Sequence, residues 1–157
     1  MTSMKRRIFL KGSLATGAIG MAVSTGLLTP RISLAAWSKE AFEATDVNGA
    51  LNGLFGSSDL AGSDNIKIKA PDIAENGAVV PVSVTTDISG ASSISIIAEK
   101  NAQPLAASFD LGPGTEGYVS TRIKMGKTAS VIAVVKADGK LHSTGKEVKV
   151  TIGGCGG

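Results

Sequence analysis

The sequence predicts a mainly β protein, an immunoglobulin-like antiparallel β-sandwich with one short N-terminal helix and a flexible C-terminal arm. Seven short segments rich in β-branched residues are separated by turn signals such as Asn76-Gly77 and Asp138-Gly139. Short strands with closely spaced turns are typical of such sandwiches. An apolar stripe with three- and four-residue spacing precedes them and predicts the helix. A chain of 157 residues is long enough for one domain of this kind.

The predicted helix starts near Ser38 and ends at about Phe55. Ser38 can cap its first turn, which contains the acidic Glu40. Gly49 and Gly53 weaken the helix, so its end is loosely defined. We expect its apolar stripe to pack on the domain or on a partner. The stripe consists of Trp37, Ala41, Ala44, Val47, Leu51 and Leu54.

The strand segments follow a polar linker. We predict strands at Ile66–Ala70, Val79–Asp87, Ser92–Glu99, Pro104–Asp110, Gly117–Lys124, Thr128–Ala137 and Lys146–Ile152. Pro81 cannot donate to a strand ladder, so we expect it at a sheet edge or a bulge. In the last segment apolar and polar residues alternate, so one of its faces is predicted to be buried and the other solvated. This strand leads directly into Gly153.

Residues 1–35 have the features of an export signal. Arg6 and Arg7 lie in a basic stretch followed by Phe-Leu-Lys, and a weakly apolar, glycine-containing run comes next. Ser33 and Ala35 are the small residues of a cleavage site, which predicts a cut after Ala35. The paired arginines favour the twin-arginine pathway and a periplasmic location. A membrane anchor is the alternative, but a spanning helix needs about 20 strongly apolar residues, so no membrane association is expected after cleavage. The predicted division is therefore 1–35, 36–152 and 153–157.

The basic composition does not indicate nucleic-acid binding. The whole chain carries a formal charge of +3, but five of its 16 basic residues lie before residue 36, where there is no acid. From Ala36 onward the count is 11 − 13 = −2. No cluster of Lys and Arg interleaved with aromatic residues occurs there, so nucleic acid is not a predicted partner.

The residue inventory excludes several kinds of active site. The chain has one histidine and one cysteine, which excludes a blue-copper ligand set and a haem attachment motif, and zinc sites need three or four N, S or O ligands. We interpret His142 as a solvated hairpin residue, and Asp72 and Glu75 as solvated residues flanking a turn. The sequence therefore predicts no metal, no cofactor and no catalytic residue in the domain.

The remaining candidate for a functional residue is Cys155, in the arm Gly153-Gly154-Cys155-Gly156-Gly157. The flanking glycines widen the allowed backbone conformations, and the arm can extend roughly 10 Å from Ile152 at about 3.3–3.6 Å per residue. Nothing in the arm would activate a thiol, so we expect partner enzymes to do so. The alternative is an exported structural sandwich crosslinked through this cysteine, and composition alone leaves both open.

The ending Val148-Lys149-Val150-Thr151-Ile152-Gly153-Gly154-Cys155-Gly156-Gly157 resembles the C-terminus of the SoxY family, the sulfur carriers of bacterial thiosulfate oxidation. The stretch from Ala70 to Val82 resembles the start of that family's sandwich. Further similarities lie at Ala98–Asn101, Ser120–Ile123 and Val134–Lys140, and the twin-arginine leader also fits. One departure is Ala102, where the family pattern has proline.

The resemblance implies a carrier that is not itself an enzyme. Pathway intermediates would be attached covalently to Cys155, with Gly153, Gly154, Gly156 and Gly157 providing a swinging arm. The implied partners are a SoxZ subunit in a heterodimer, a c-type cytochrome that couples thiosulfate to the cysteine, a hydrolase that releases sulfate and a sulfane dehydrogenase. A carrier dimer linked through the cysteine is also consistent with the resemblance.

Overall fold

The computed structural model describes residues 38–152, and the predicted leader and arm residues lie outside this range. The described part contains two helices, α1 (Lys39–Glu43) and α2 (Val47–Phe55). It also contains nine strands: β1 (Ala61–Gly62), β2 (Ile66–Lys69), β3 (Ile73–Ala74), β4 (Val80–Thr86), β5 (Ala91–Ala98), β6 (Leu105–Asp110), β7 (Tyr118–Ile123), β8 (Ala129–Ala137) and β9 (Lys140–Val150).

The strands form two sheets, which confirms the predicted β-sandwich. The larger sheet has the order β1-β9-β8-β5-β6, with β3 also pairing with β9. The smaller sheet has the order β2-β4-β7. Apolar side chains from both sheets meet between them, because β4 buries every second residue and β8 contributes its inward-facing ones. The largest fully buried side chains of this core are Val80, Val82, Val84, Ile94, Ile96, Met125, Val131, Val135 and Val148.

The helices cover the outer side of the larger sheet and enclose a second apolar cluster. Ala41, Ala50 and Leu51 from the helices pack there against residues of β5, β6, β8 and β9. The stripe from Ala41 to Leu54 therefore packs on the domain, which was one of the two expected outcomes, and Trp37 lies outside the described residues. The strand residues of this cluster are Ile97, Leu105, Val134 and Leu141.

The predicted helical segment is divided in two, and it ends at Phe55 as expected. Asp46 accepts a hydrogen bond from the Gly49 N–H at 2.8 Å and so begins a new helix as its N-cap. Ser38 occupies the N-cap position of α1, but its hydroxyl donates instead to the Gly53 carbonyl at 2.8 Å. A Cβ at Gly53 would lie 2.8 Å from the backbone of Ala41, so this glycine permits the close packing of α1 on α2.

All seven predicted strands are present, but the last one was predicted too short. β9 begins at Lys140, not Lys146, because it continues the β8 hairpin from the Asp138-Gly139 turn. β1 and β3 were not predicted, since two-residue strands leave no periodic pattern. Both pair with β9 in parallel, so the larger sheet is not purely antiparallel.

Pro81 lies on the middle strand of the smaller sheet, not on an edge strand. It is opposite Arg122 of β7, while β2 pairs only with residues Ser83–Thr86 of β4. The side of β4 toward β2 is therefore unpaired at Pro81, and the missing N–H breaks no ladder there. No helix among residues 38–152 is long and apolar enough to cross a membrane.

Candidate functional site: the root of the C-terminal arm

The end of β9 is the place where the structure approaches the arm. Val148 is completely buried in the core, whereas Ile152, four residues later, is 68% exposed. The chain therefore passes from the interior to the surface within one short stretch. We call Lys149–Ile152 the arm root.

Two neighbouring segments hold the arm root through its backbone. On one side β3 runs parallel to it, and the N–H of Lys149 donates to the Asp72 carbonyl at 2.9 Å. The N–H of Thr151 donates to the Ala74 carbonyl at 3.1 Å, and the Thr151 hydroxyl to the Glu75 carbonyl at 3.2 Å. These bonds extend the strand beyond its pairing with β8, which ends at Val148.

A side chain and a turn complete the attachment. The N–H of Val150 donates to the Thr128 hydroxyl at 2.9 Å, beyond the last residue of β9 that pairs with β8. The N–H of Gly77 donates to the Ile152 carbonyl at 2.8 Å. Each arm-root residue therefore has at least one backbone group hydrogen-bonded to a neighbouring segment, up to the carbonyl of Ile152.

The loops around the arm root are joined to one another. The Gly77 carbonyl accepts from the Met125 N–H at 2.7 Å, and the Met125 side chain is fully buried. Asn101 connects the next loop, since its side-chain amide donates to the Lys124 carbonyl at 2.7 Å and its Oδ1 accepts from the Gly126 N–H at 3.0 Å. The arm root is thus part of a hydrogen-bonded end of the sandwich.

Lys146 attaches the segment before β3 to β9. Its Nζ donates to the Ala70 carbonyl at 2.7 Å and lies 3.0 Å from a carboxylate oxygen of Asp72. The Asp72 side chain is 89% exposed, so this pair adds little by charge alone. Its geometric effect is to hold the chain from which β3 starts. Among the described residues, the Asp72 carboxylate therefore contacts Lys146 and has no side-chain hydrogen bond with the Glu75 carboxylate.

Most of the predicted site residues lie outside the part of the chain that the structure describes. Cys155 and the four arm glycines, as well as Arg6 and Arg7, lie outside the described residues. His142 is a half-buried residue of β9, opposite Val135. Within residues 38–152 there is no group of three or more His, Asp or Glu side chains that could hold a metal ion.

Residues that hold the arm root were not identified from the sequence. Gly77 was interpreted only as part of a turn, and Thr128 only as the start of a strand. The periodic pattern of β9 gave no information about which segments lie beside its end, because those contacts join residues far apart in sequence. The Asn76-Gly77 turn was the one available signal.

A family model, "Sulfur oxidation protein SoxY", matches residues 51–155, which include Cys155. The chain belongs to the SoxY family. The predicted resemblance is therefore confirmed. Among solved structures, the sulfur carrier protein SoxY from Chlorobium limicola f thiosulfatophilum is similar to this SoxY-family chain with 50% sequence identity and a TM-score of 0.60. The alignment covers 66% of this chain and 94% of that chain.

A second solved structure, the PKD domain of an M14-like peptidase from a Thermoplasmatales archaeon, has 16% identity and a TM-score of 0.36. It covers 54% of this chain and 91% of that chain, and at this similarity it carries no argument about function. The search of curated proteins found no match.

Proposed function

We propose that this SoxY-family protein is a sulfur carrier of periplasmic thiosulfate oxidation that holds intermediates covalently on Cys155. The observation that carries the proposal is that the family match extends through Cys155, the chain's only cysteine, which lies three residues after the arm root. The structural relative from Chlorobium is itself named a sulfur carrier protein.

The arm root supports this role physically. A carrier must present its attachment point at a defined place while leaving the attachment point free to enter another protein. The paired backbone up to Ile152 provides the first requirement, and the glycines in the sequence beyond it allow the second. Tethering also gives each handover an effective concentration on the order of millimolar for a short flexible linker.

The chemistry requires partner proteins. In loading, the Cys155 thiol loses its one proton and the thiol and the thiosulfate dianion together lose two electrons as the sulfur–sulfur bond between them forms, and a c-type cytochrome accepts the electrons. A hydrolase then adds water to the terminal sulfonate, which releases sulfate and leaves a persulfide on Cys155. A sulfane dehydrogenase would oxidise the remaining sulfur, and a SoxZ subunit would complete the carrier as a heterodimer.

Intact-mass spectrometry tests the attachment site. Protein isolated from thiosulfate-oxidising cells is expected to carry thiosulfate-sized and sulfur-sized adducts, and the Cys155→Ser protein is expected to carry none. A mass spectrum that shows only disulfide dimers would favour a crosslinked structural module. Turnover of thiosulfate by the isolated protein would contradict the carrier role.

Export is a separate part of the proposal. We infer that residues 1–35 direct the folded chain through the twin-arginine pathway. Changing Arg6 and Arg7 to lysine is expected to leave precursor in the cytoplasmic fraction, whereas changing Lys5 and Lys11 to arginine should not. Normal export of the Arg6→Lys/Arg7→Lys precursor would exclude this pathway.

A further inference from the structure

The outer face of the smaller sheet is not covered by any element in the part of the chain that the structure describes. Side chains of β2, β4 and β7 that point away from the core are exposed or half-buried. We call this surface the basic face. It consists of Lys67, Lys69, Pro81, Ser83, Thr85, Tyr118, Ser120 and Arg122.

The basic face has charge of one sign. Lys67, Lys69 and Arg122 are all exposed, and the three strands contain no Asp or Glu. None of the three cations is in an ion pair with another described residue. The acidic residues Asp87 and Glu116 lie just beyond the ends of β4 and β7. This surface contrasts with the chain from Ala36 onward, where acids outnumber bases 13 to 11.

Tyr118 gives the basic face an exposed aromatic residue. Its side chain is 51% exposed and lies on the same face as the hydroxyls of Ser83 and Ser120. Those two hydroxyls are themselves 2.9 Å apart. Hydrogen bonds from the two serines, and secondarily the nearby Lys69, lower the pKa of Tyr118 below its usual value. A tyrosine held in this way offers contact area at little entropic cost, and tyrosine and arginine are enriched at protein interfaces.

The basic face continues to the arm root. Pro81 and Arg122 are paired at the end of the sheet that adjoins Val79, itself 53% exposed. Val79 lies in the same turn as Gly77, and the Gly77 N–H donates to the Ile152 carbonyl. A protein seated on the basic face would therefore lie next to the point where the arm begins.

We propose that the basic face is a docking surface for a partner protein whose contacting surface is acidic. The inference rests on the proposed function in one respect, since a carrier must bring its arm to other proteins. A second copy of this chain is a poor occupant. Two-fold pairing of the face would oppose Lys67, Lys69 and Arg122 with like charges, and pairing with the acidic loops of a copy would not close into a symmetric dimer.

Binding measurements on the Cys155→Ser protein test the surface without any sulfur chemistry. The probes are the purified SoxZ subunit, c-type cytochrome and sulfate-releasing hydrolase of the same organism. The variant Lys67→Glu/Lys69→Glu/Arg122→Glu is expected to bind at least one of them about tenfold or more weakly at low ionic strength. The difference should shrink at about 1 M salt, where the screening length is about 3 Å.

The matched control is Lys100→Glu/Lys127→Glu/Lys140→Glu, which has the same change in charge at exposed residues outside the basic face. It is expected to retain affinity within about twofold, because charges farther from a contact are screened. The neutral variant Lys67→Gln/Lys69→Gln/Arg122→Gln should lose less affinity than the glutamate variant. It replaces the glutamate variant in the binding measurement if the glutamate variant does not fold.

Four outcomes would overturn the docking surface: no probe binds, both glutamate variants weaken binding equally, the face-dependent ligand is single-stranded DNA or an anionic vesicle, or the face drives self-association in solution. Failure of the carrier role would be visible separately. Absence of Cys155 adducts with face-dependent binding would reject only the carrier function, whereas adducts with face-independent binding would reject only the docking surface.

Discussion

The two outer faces of the sandwich differ in what covers them. On the larger sheet, β8 contributes to two cores, since Val131 and Val135 point between the sheets and Val134 points under the helices. On the smaller sheet, β4 has Val82 and Val84 inside, and Pro81, Ser83 and Thr85 outside. Strands with apolar residues on both sides therefore require a third layer, and a strand that alternates leaves one face for solvent or a partner.

The largest effect is expected from removing a contact on the covered face. Leu51 is completely buried between α2 and the larger sheet, so Leu51→Ala should lower the free energy of unfolding by about 2–5 kcal/mol. On the basic face, Tyr118→Ala should lower the free energy of unfolding by about 1 kcal/mol or less, since half of the side chain is already exposed. Equilibrium urea denaturation checks both values. Equal losses would show that the two faces contribute alike to stability.

A smaller effect is expected from adding a methyl group within the helical layer. Gly53→Ala would place a Cβ 2.8 Å from the backbone of Ala41 and force α1 away from α2. We expect a loss of about 1–3 kcal/mol in the free energy of unfolding. Gly62→Ala is the control, because no atom lies within 4 Å of its added Cβ, and it should change stability by about 0.5 kcal/mol or less. Thermal unfolding of both variants would sharpen the comparison.

The smallest effect concerns the ionisation of Tyr118 on the basic face. Tyr118 is the chain's only tyrosine, so ultraviolet absorbance of the phenolate reports its titration directly. Its pKa should lie below 10.0 because Ser83 and Ser120 hydrogen-bond to it, and Ser83→Ala/Ser120→Ala should raise it. Because the pKa of Tyr118 is lower in the folded state than in the unfolded state, ionised Tyr118 stabilises the fold at pH values above the unfolded-state pKa. This contribution to stability is lost as the pH falls through the folded-state pKa. An unchanged titration curve in the double variant would disprove the hydrogen-bond explanation.

Much of the fold could be predicted because its signals are local. Alternation in β4 and turn pairs such as Asp138-Gly139 are contained within a few residues, as is the stripe that includes Leu51. The division of the helix at Asp46 was missed because the whole segment keeps helical spacing, although aspartate is a strong N-cap. β3 was missed because two residues have no periodicity, and its pairing with β9 depends on a long-range contact.

The sequence by itself determined the strand segments, the glycine-flanked Cys155 and the family to which the chain belongs, because these are patterns of neighbouring residues. The tertiary structure decided how the arm root is held. Ala74, Gly77 and Thr128 meet residues of the arm root from positions 22 to 77 residues away, and hydrogen bonds of this kind are set by sheet pairing. It also decided which face is bare, since only packing shows that the helices cover the larger sheet.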